Sequence, residues 1–332
     1  MKRILLIATG GTIASGDTGD GMEPVLKPED VLHYLPSVKE LCEVKCLKLY
    51  DLDSTNVGPE HWLGMAETVE KQYDKFDGFI ILHGTDTMAY TAAALSYLIQ
   101  NAGKPIVITG AQKPISMEVT DAKRNLYDSF LYAVSEGAYG VSIVFDGHVI
   151  AGTRARKTRS KSFNAFSSID FPDLAVIRGE RVVRYIRDKK PEEQPKFFHK
   201  LCRRVFVLKL IPGLDAGMFE YLREHYDALI IESFGMGGIP CYDNDDFMAA
   251  IEDWMARGKT LVITTQVSHE GSDMSIYHVG VRVREQFEVL ECYDMTPEAT
   301  LTKLMWILGE TQEHARVKEL FYTPVGHDLL EE

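Results

Sequence analysis

The chain has 332 residues, of which 45% are hydrophobic and 26% are charged. These proportions are ordinary for a globular protein, and the length favours two domains over one. A formal net charge of −13 argues against nucleic acid as a general partner. The first apolar run is too short for a signal-peptide core, and none approaches the roughly 20 residues of a membrane span. Five scattered cysteines without a CxxC pair indicate reduced thiols, so we expect a cytoplasmic protein with no membrane association.

Short apolar runs alternate with amphipathic stretches through the first half of the chain. Buried strands are predicted over residues 4–8, 79–82, 105–109 and 141–145. Helices are predicted from residue 59, where proline suits a first turn, and over residues 87–99 and 125–134. The first of these carries Trp62, Met65, Ala66 and Val69 on one face. This alternation predicts a parallel sheet with helices on both faces.

A polar, proline-containing stretch, DKKPEEQPKFFHK over residues 188–200, interrupts the pattern and is the best candidate for a linker. Strands are then predicted over residues 205–210, 228–232 and 260–264. Helices are predicted over residues 217–225, 247–257 and 297–309. We therefore predict two α/β domains: a larger N-terminal catalytic domain over residues 1–187, with a mostly parallel sheet flanked by helices, and a smaller C-terminal domain over residues 205–332, joined by a linker over 188–204.

The first strand runs directly into ATGGTIAS, residues 8–15. A phosphate loop would need GxxxxGK[ST] and a dinucleotide fold GxGxxG, and neither pattern is present. The following stretch contains Asp17 and Asp20, whose charges would repel a phosphate. Two interpretations therefore remain for this stretch. It is either a tight turn after a strand, or a mobile flap over a small-molecule site in which the glycines expose the hydroxyl of Thr12.

A second stretch, HGTDTMAYTAAAL from residue 83, joins a strand to a helix. Helix N-termini offer unpaired backbone N–H groups, and Asp86 at this point can simply cap the helix. In the functional alternative, Asp86 binds a substrate ammonium while Thr85 presents its hydroxyl to a water or an acyl group. His83 is a possible catalytic base, but a histidine that closes a buried strand more often forms part of a hydrogen-bonded scaffold.

Two further stretches carry candidate residues. Asp53, Ser54 and Thr55 follow an apolar run, where polar side chains line the ligand crevice of an open α/β sheet, although such residues are also common in turns. Residues 153–161, TRARKTRSK, carry five positive charges in an otherwise acidic chain. Most of these are expected to face solvent, and a catalytic lysine among them would have to lie in a less hydrated place. The residues alone do not identify which cation is buried.

Taken together, these stretches resemble the bacterial L-asparaginases, and within them the cytoplasmic type I group. TGGTIAS matches the first signature of the family, HGTDTMAYTAAAL the second, and DSTN the segment between them that binds the substrate carboxylate. GAQKP at residues 110–114 and MTPEATL at residues 295–301 are also familiar. The resemblance covers essentially the whole chain, and two independent signatures in the right order make it specific.

The resemblance implies hydrolysis of L-asparagine to L-aspartate and ammonia through an acyl-enzyme. Thr12 matches the nucleophile of the family. Thr85, Asp86 and Lys157 match a second constellation, in which lysine and aspartate tune a threonine hydroxyl. Lys157 is chosen over Lys161 because it lies six residues before Phe163, as the lysine of the family precedes its own aromatic residue.

The same resemblance assigns the binding groups. Asp53, Ser54 and Thr55 match the residues that grip the carboxylate and amine of the substrate, with Asp86 beside them. Backbone amides near Gly11 and Thr85 would form the oxyanion hole. We expect no metal and no cofactor, a small-molecule substrate, and a homotetramer built as a dimer of dimers.

The chain departs from the family pattern at three places. Met22 stands where the flap commonly carries a tyrosine, so the activation of Thr12 would need Glu23, a water or another tyrosine such as Tyr277. Glu232 and Val267 stand where some type I enzymes use an arginine and a cysteine for allosteric asparagine binding, so we predict no such regulation, or a different kind. Gly238 stands where secreted relatives place an asparagine, which agrees with type I.

Three alternatives to an asparaginase stay open. One is a glutaminase-asparaginase of broader specificity. Another is the amidase component of a tRNA-dependent amidotransferase, which typically carries an extra N-terminal domain, whereas only a few residues precede the first strand here. The third, from a different class, is a weakly catalytic asparagine-binding sensor, which the missing flap tyrosine favours.

Overall fold

The computed structural model describes residues 1–17, 22–24, 26–240, 245–275 and 288–330, and of residues 14–17, 22–24 and 245 it describes the backbone only. The chain divides into two compact units. The first comprises residues 1–199 and 325–327, and the second residues 200–324 and 328–332. Within the described residues, no helix has both the length and the apolar character that a membrane span requires. The prediction of two α/β domains, the larger one N-terminal, is confirmed.

The first unit contains fourteen described strands and five helices. The strands are β1 Arg3–Gly10, β2 Ser15–Asp17, β3 Met22–Pro24, β4 Glu43–Leu52, β5 Gly78–Leu82, β6 Ile99–Gln100, β7 Pro105–Thr109, β8 Gly140–Phe145, β9 His148–Ala151, β10 Ala155–Lys157, β11 Phe166–Ser168, β12 Ala175–Arg178, β13 Arg181–Arg184 and β14 Lys196–Phe197. The helices are α1 Pro28–His33, α2 Val38–Leu41, α3 Pro59–Gln72, α4 Met88–Leu98 and α5 Ala122–Val134.

Eight of these strands form one sheet, in the order β13-β12-β9-β8-β7-β5-β1-β4. The five strands from β4 to β8 pair in parallel, and the three remaining strands add antiparallel pairs at the other end. Parallel strands covered on both faces read as continuous apolar runs, and β1 accordingly buries seven of its eight residues. The sheet is therefore mostly parallel, as predicted.

Side chains alternate between the two faces of this sheet. In β1, Ile4 and Leu6 belong to the apolar cluster that includes Leu126 and Phe130 of α5. Leu5, between them, is equally buried but lies outside that cluster, because it points to the opposite face. Helix α4 contacts β7 and β8, while α3 contacts α4 and buries Trp62, Met65, Ala66 and Val69, the stripe that the sequence predicts. Helices cover both faces.

The order of connections creates a switch point in the sheet. From β1 the chain crosses to β4 on one side and then returns to β5 on the other side of β1. The connection after β1 thus leads to one side of the sheet, and the connection after its neighbour β5 leads to the other side. In open α/β sheets, ligands bind in the crevice at such a point, outside the carboxyl ends of the strands. The loop of Thr12 and the loop of Thr85 flank it.

The second unit is a smaller parallel sheet with four helices among the described residues. Its strands are β15 Val205–Lys209, β16 Ala228–Ser233, β17 Thr260–Thr265 and β18 Leu290–Glu291, paired in that order. Its helices are α6 Met218–His225, α7 Asp245–Ala256, α8 Pro297–Glu310 and α9 His314–Tyr322. Helix α8 begins where Thr296 accepts a hydrogen bond from the Ala299 amide, with Pro297 in the first turn.

The stretch that the sequence suggests as a linker contains regular structure. Lys196 and Phe197 form β14, which pairs antiparallel with Gln100 and Ile99. This pairing, rather than any periodicity of the sequence, orders the segment, which is why a local pattern does not reveal it. The exact boundaries, 1–187, 188–204 and 205–332, stay a prediction.

Candidate functional site

The predicted site residues follow parallel strands that are neighbours in the sheet. Ala8 of β1 lies opposite Leu82 of β5, Leu82 lies opposite Thr109 of β7, and Gly10 lies opposite Leu52 of β4. The carboxyl ends of all four strands therefore meet at one edge. The loops that start there carry Thr12, Ser54, Thr85 and Gln112, so residues far apart in sequence are brought to one crevice.

Gly10 and Gly11 let the loop after β1 lie directly against the backbone of its neighbours. Both have positive φ, +106° and +87°, which side-chain-bearing residues rarely adopt. A Cβ atom would lie 2.3 Å from the Leu52 carbonyl oxygen at Gly10, and 2.4 Å from the Gly84 nitrogen at Gly11. Either approach excludes any larger residue. The two glycines are thus required by close packing of three loops at the switch point.

The Gly11 N–H donates to the carbonyl of Leu52 at 3.1 Å. The following residues, Thr12 to Ala14, form a 3₁₀ turn, and the Ile13 carbonyl accepts from the Ile115 amide at 3.2 Å. Thr12 is half-buried, whereas Ile13 is fully buried in the core. Thr12 is therefore held at the mouth of the crevice by backbone bonds on both sides of it.

Thr85, Lys157 and Asp86 form one hydrogen-bonded set. Lys157 Nζ lies 2.8 Å from Thr85 Oγ1 and 2.6 Å from Asp86 Oδ1. The lysine side chain is 17% exposed and the aspartate side chain 58% exposed, so the set opens to solvent on the aspartate side. Asp86 does not cap α4, whose N-cap is Thr87. An ammonium at this distance stabilises negative charge on the threonine oxygen.

Gln112 is a contact of this set that the sequence reasoning missed. The Thr85 hydroxyl donates to Gln112 Oε1 at 3.1 Å, and Gln112 Nε2 donates to the Ser162 carbonyl. Asp121 accepts from the backbone amides of Gln112 and Lys113 and so fixes the loop after β7. The available signal was position: Gln112 follows β7 at the same sheet edge as the other candidates.

Lys157 lies on a short hairpin rather than in a solvated loop. It ends β10 and pairs with Phe166 of β11. Four residues later, Lys161 is exposed, while Arg154, three residues earlier, is fully buried. The basic stretch thus contains a cation in the core, Arg154, one at the site, Lys157, and two exposed to solvent, Arg159 and Lys161, an arrangement that no local pattern reveals.

The segment after β4 is organised by its own hydrogen bonds. Asp53 accepts from both the amide and the hydroxyl of Thr55, at 2.8 and 2.6 Å, and these bonds lower the pKa of its carboxyl. Ser54 is buried; its hydroxyl accepts from the Asp86 amide at 3.3 Å and its carbonyl from the Thr87 hydroxyl at 2.7 Å. Ser54 therefore joins two loops of the site, while Asp53 and Thr55 are exposed.

His83 is part of the scaffold beneath the site. Its side chain is fully buried, with Nδ1 2.7 Å from the Gly84 carbonyl oxygen and Nε2 2.9 Å from the hydroxyl oxygen of Thr91. Burial lowers the pKa of this imidazole to about 4, so it is neutral near pH 7. The preference for a scaffold role over a catalytic base agrees with this environment.

The remaining departures from the family pattern fall on β3, on the second unit and on residues outside the described ranges. Tyr277 lies outside the described residues, and of Met22 and Glu23 the structure describes only a backbone strand that pairs with residues 15–17. In the second unit, Glu232 lies in β16 and Val267 is half-exposed. Gly238 donates its N–H to the Phe234 carbonyl at 2.7 Å.

Comparison with known proteins identifies the family. The domain family described as "Asparaginase, N-terminal" matches residues 3–190, and the "Glutaminase/Asparaginase C-terminal domain" matches residues 204–321. The chain belongs to the asparaginase family. It is therefore an amidohydrolase, and the threonines, lysine and aspartate at the switch point lie in the domain that the N-terminal family description covers.

Three relatives show how far this membership extends. The L-asparaginase of Thermococcus kodakarensis is 36% identical over 98% of this chain and 99% of its own. Its solved structure matches with a TM-score of 0.93 at 35% identity, covering 99% and 100% of the two chains. L-asparaginase I from Vibrio cholerae matches with a TM-score of 0.89 at 29% identity, covering 99% of both chains. The glutamyl-tRNA(Gln) amidotransferase D protein of Pyrococcus abyssi is 32% identical over 99% of this chain and 77% of its own.

Proposed function

We propose that this protein is an L-asparaginase that hydrolyses L-asparagine to L-aspartate and ammonia through an acyl-enzyme on Thr12. The observation that carries the proposal is the hydrogen-bonded set of Thr85, Lys157 and Asp86. Thr85 and Asp86 follow β5, which pairs with β1, the strand that precedes Thr12, and Lys157 reaches them from β10. Asparaginase family membership supplies the amide chemistry. The set supplies a charged, partly buried environment around a hydroxyl, which that chemistry requires.

In the first half of the reaction, the Thr12 oxygen attacks the side-chain amide carbon of the substrate. A carbon–oxygen bond forms, and the carbonyl electron pair moves onto the amide oxygen to give a tetrahedral oxyanion. When the carbonyl re-forms, the carbon–nitrogen bond breaks and the hydroxyl proton leaves with the nitrogen as ammonia. The Gly11 N–H is engaged with Leu52, so we assign oxyanion stabilisation to the amides of Thr12 and Thr85.

In the second half, a water molecule attacks the acyl carbon of the ester. One proton of the water passes by way of the Thr85 hydroxyl and in the end reaches the Thr12 oxygen, while the ester carbon–oxygen bond breaks to release aspartate. Lys157 stabilises negative charge that develops on the Thr85 oxygen, and Asp86 holds Lys157 in place. Neither half requires a metal or a cofactor.

The charges around the crevice suit a free amino acid. Asp53 is ionised at neutral pH, since the bonds from Thr55 lower the pKa of its carboxyl, and an exposed carboxylate can bind a substrate ammonium. Lys157 contacts Oδ1 of Asp86, and Oδ2 of Asp86 can accept a hydrogen bond from the substrate ammonium. The substrate carboxylate would be bound by the hydroxyl and amide of Ser54, while the amide and hydroxyl of Thr55 both donate to Asp53 and hold it in place.

The proposal predicts a definite substrate preference. Ammonia release should be fastest with L-asparagine, because its ammonium, carboxylate and amide fit one register, and slower with L-glutamine, whose amide carbon is one methylene further out. A single methylene typically changes kcat/KM by about 10- to 200-fold. Steady-state assays with L-asparagine, D-asparagine and L-glutamine measure this preference. Equal rates with both L-amides would indicate the broader glutaminase-asparaginase, and binding of L-asparagine without ammonia release would indicate a sensor.

A second candidate rests on the glutamyl-tRNA(Gln) amidotransferase relative, to which 99% of this chain aligns. In that case the ammonia would serve an amide-forming partner protein. We prefer the free asparaginase because the L-asparaginase of T. kodakarensis is more similar and matches over 99% of its own length, against 77% for the amidotransferase protein. If the isolated chain releases ammonia from L-asparagine at the same rate with and without a partner protein, the result supports the free enzyme.

We also propose type I membership, a cytoplasmic location and a homotetramer built as a dimer of dimers. The similarity to L-asparaginase I of V. cholerae supports the group, and an archaeal relative at 36% identity argues against restricting it to bacteria. The four cysteines among the described residues are free thiols, which suits a reducing compartment. Sedimentation equilibrium should give four times the mass of the chain, and a single-chain mass would contradict the tetramer.

A further inference from the structure

The scaffold beneath the site forms a chain of hydrogen bonds that ends at an amide of the proposed oxyanion hole. Trp62 Nε1 lies 2.9 Å from Thr91 Oγ1, and His83 Nε2 lies 2.9 Å from the same oxygen. His83 Nδ1 lies 2.7 Å from the Gly84 carbonyl oxygen. All three side chains are at least 95% buried, so water does not compete for these bonds.

The protons of this chain can be assigned in one consistent way. An indole N–H only donates, so Thr91 Oγ1 accepts from Trp62. The threonine hydroxyl then donates its own hydrogen to His83 Nε2, which must be the unprotonated nitrogen of a neutral imidazole. The remaining ring hydrogen is on Nδ1 and donates to the Gly84 carbonyl. Burial, which lowers the pKa of His83 to about 4, keeps the imidazole in this neutral form at neutral pH.

The Gly84 carbonyl and the Thr85 N–H belong to the same peptide unit. A trans peptide is planar, and its C=O and N–H point in opposite directions; the described chain contains no cis peptide bond. A bond that draws the Gly84 oxygen towards the buried imidazole therefore directs the Thr85 N–H away from it. No acceptor for this N–H lies among the described residues.

The surrounding backbone leaves this peptide little freedom to rotate. The His83 amide donates to the Thr109 carbonyl at 2.9 Å. A Cβ atom at Gly84 would lie 2.6 Å from Ser54 Oγ, and one at Gly110 would lie 2.2 Å from the His83 carbonyl oxygen. The strand before the Gly84–Thr85 peptide and the loops beside it are thus fixed. The bond from the imidazole to the Gly84 carbonyl then sets the orientation of the peptide plane.

We propose that His83, held by Thr91 and Trp62, is a positioning residue that directs the Thr85 N–H at the oxyanion of the tetrahedral intermediate. The proposal rests on the proposed amide hydrolysis and adds to it a group that never touches the substrate. The oxyanion exists only in the transition state and intermediate, so misdirecting its donor lowers kcat and leaves KM nearly unchanged.

The test compares two replacements of the histidine. His83→Leu removes both ring nitrogens at similar volume, whereas His83→Asn places an amide N–H donor close to the position of Nδ1. We expect kcat for L-asparagine to fall about 10- to 100-fold in His83→Leu, below the roughly 10²–10³-fold loss typical when an oxyanion donor is removed outright. KM should stay within about threefold, and His83→Asn should recover most of kcat. A rise in KM with kcat unchanged in His83→Leu would overturn the proposal, and so would a kcat that does not recover in His83→Asn.

A second pair of variants tests the proposal without changing His83, in case the replacements of His83 impair folding. Thr91→Val breaks the chain one bond further from the site and should lower kcat in the same manner but less. Ser96→Ala removes another buried hydroxyl of α4, which donates to the Ala92 carbonyl, and should leave kcat unchanged. Equal effects of Thr91→Val and Ser96→Ala would show a general response to a lost buried hydroxyl and would contradict the positioning role.

Nitrogen NMR of the labelled imidazole gives a readout that does not depend on turnover. The His83 signals, identified by their loss in His83→Asn, should show a protonated Nδ1 and an unprotonated Nε2, and the Thr85 amide signal should shift in His83→Leu. The opposite tautomer would refute the proposal whatever the kinetics. If the wild type released no ammonia, the proposed function would fail, and the tautomer would still decide how the Gly84–Thr85 peptide is held.

Discussion

Replacing Thr12 with alanine is expected to reduce kcat for L-asparagine by as much as about 10⁶-fold, the order of loss seen when the nucleophile of an acyl-transfer enzyme is removed. The reason is that no other hydroxyl can form the ester at this position, so the acyl-enzyme cannot form. Binding groups remain, and L-asparagine should still bind, since Asp53 and Asp86 are untouched. Ammonia release at saturating L-asparagine, together with a binding titration, measures both effects.

A matched control lies three residues earlier in the same stretch. Thr9 is buried in β1 and its hydroxyl donates to the Leu82 carbonyl at 2.7 Å, so Thr9→Val deletes a buried hydroxyl three residues before Thr12. Its kcat should change by less than about tenfold. Thr12→Ser, which keeps the hydroxyl, should retain most activity. Full activity in Thr12→Ala would exclude Thr12 as the nucleophile and make Thr85 the next candidate.

Much of the fold could be predicted because its central strands and helices carry strong local patterns. Residues 4–8 and 105–109 are continuous apolar runs, which buried parallel strands require, and the stripe from Trp62 to Val69 matches one helix face. The antiparallel end of the sheet carries no such signal. Of the hairpin of β12 and β13, the second strand reads RVVR and buries none of its residues fully, and β14 has only two residues. These elements are defined by their partners rather than by their own sequences.

The site divides in the same way. Thr12, Thr85 and Asp86 follow predicted strands, so their approach to one sheet edge was foreseeable from the parallel topology. Lys157 was not, because its neighbours Arg154 and Lys161 carry the same charge and differ only in burial, which depends on how the hairpin folds back. It was reached through the family resemblance alone. Gln112 also follows a predicted strand, but the sequence does not show that its side chain contacts Thr85.

The glycines of TGGT show a subtler limit. The sequence suggests either a tight turn or glycines that expose the Thr12 hydroxyl, but the atoms that approach these glycines are backbone atoms: the Leu52 carbonyl and the Gly84 amide. A glycine pattern indicates that another group approaches the backbone closely, but it does not identify whether that group is a substrate or a neighbouring segment of the chain. The identity of the approaching group depends on strand order, which is a long-range property of the chain.

Replacing Lys157 with methionine is expected to lower kcat for L-asparagine by about 10²- to 10⁴-fold, the contribution typical of a positioned proton-transfer group. Methionine keeps the length and apolar stem of the side chain and removes the ammonium that contacts Thr85 Oγ1 and Asp86 Oδ1. The Thr85 oxygen then loses the charge that stabilises it, and the attack of water on the acyl-enzyme slows. Steady-state ammonia release measures the loss.

The same variant distinguishes the two halves of the reaction, because ammonia leaves in the first and aspartate in the second. If Lys157 acts mainly on the water, Lys157→Met should release one ammonia per active site in a rapid burst and accumulate a Thr12 ester that mass spectrometry detects. Lys161→Met, which removes an exposed lysine from the same stretch, should leave kcat within about twofold of the wild type, as is usual for surface substitutions. A slow first turnover without a burst would assign Lys157 to the attack by Thr12 instead. Unchanged kcat in Lys157→Met would remove it from the mechanism altogether.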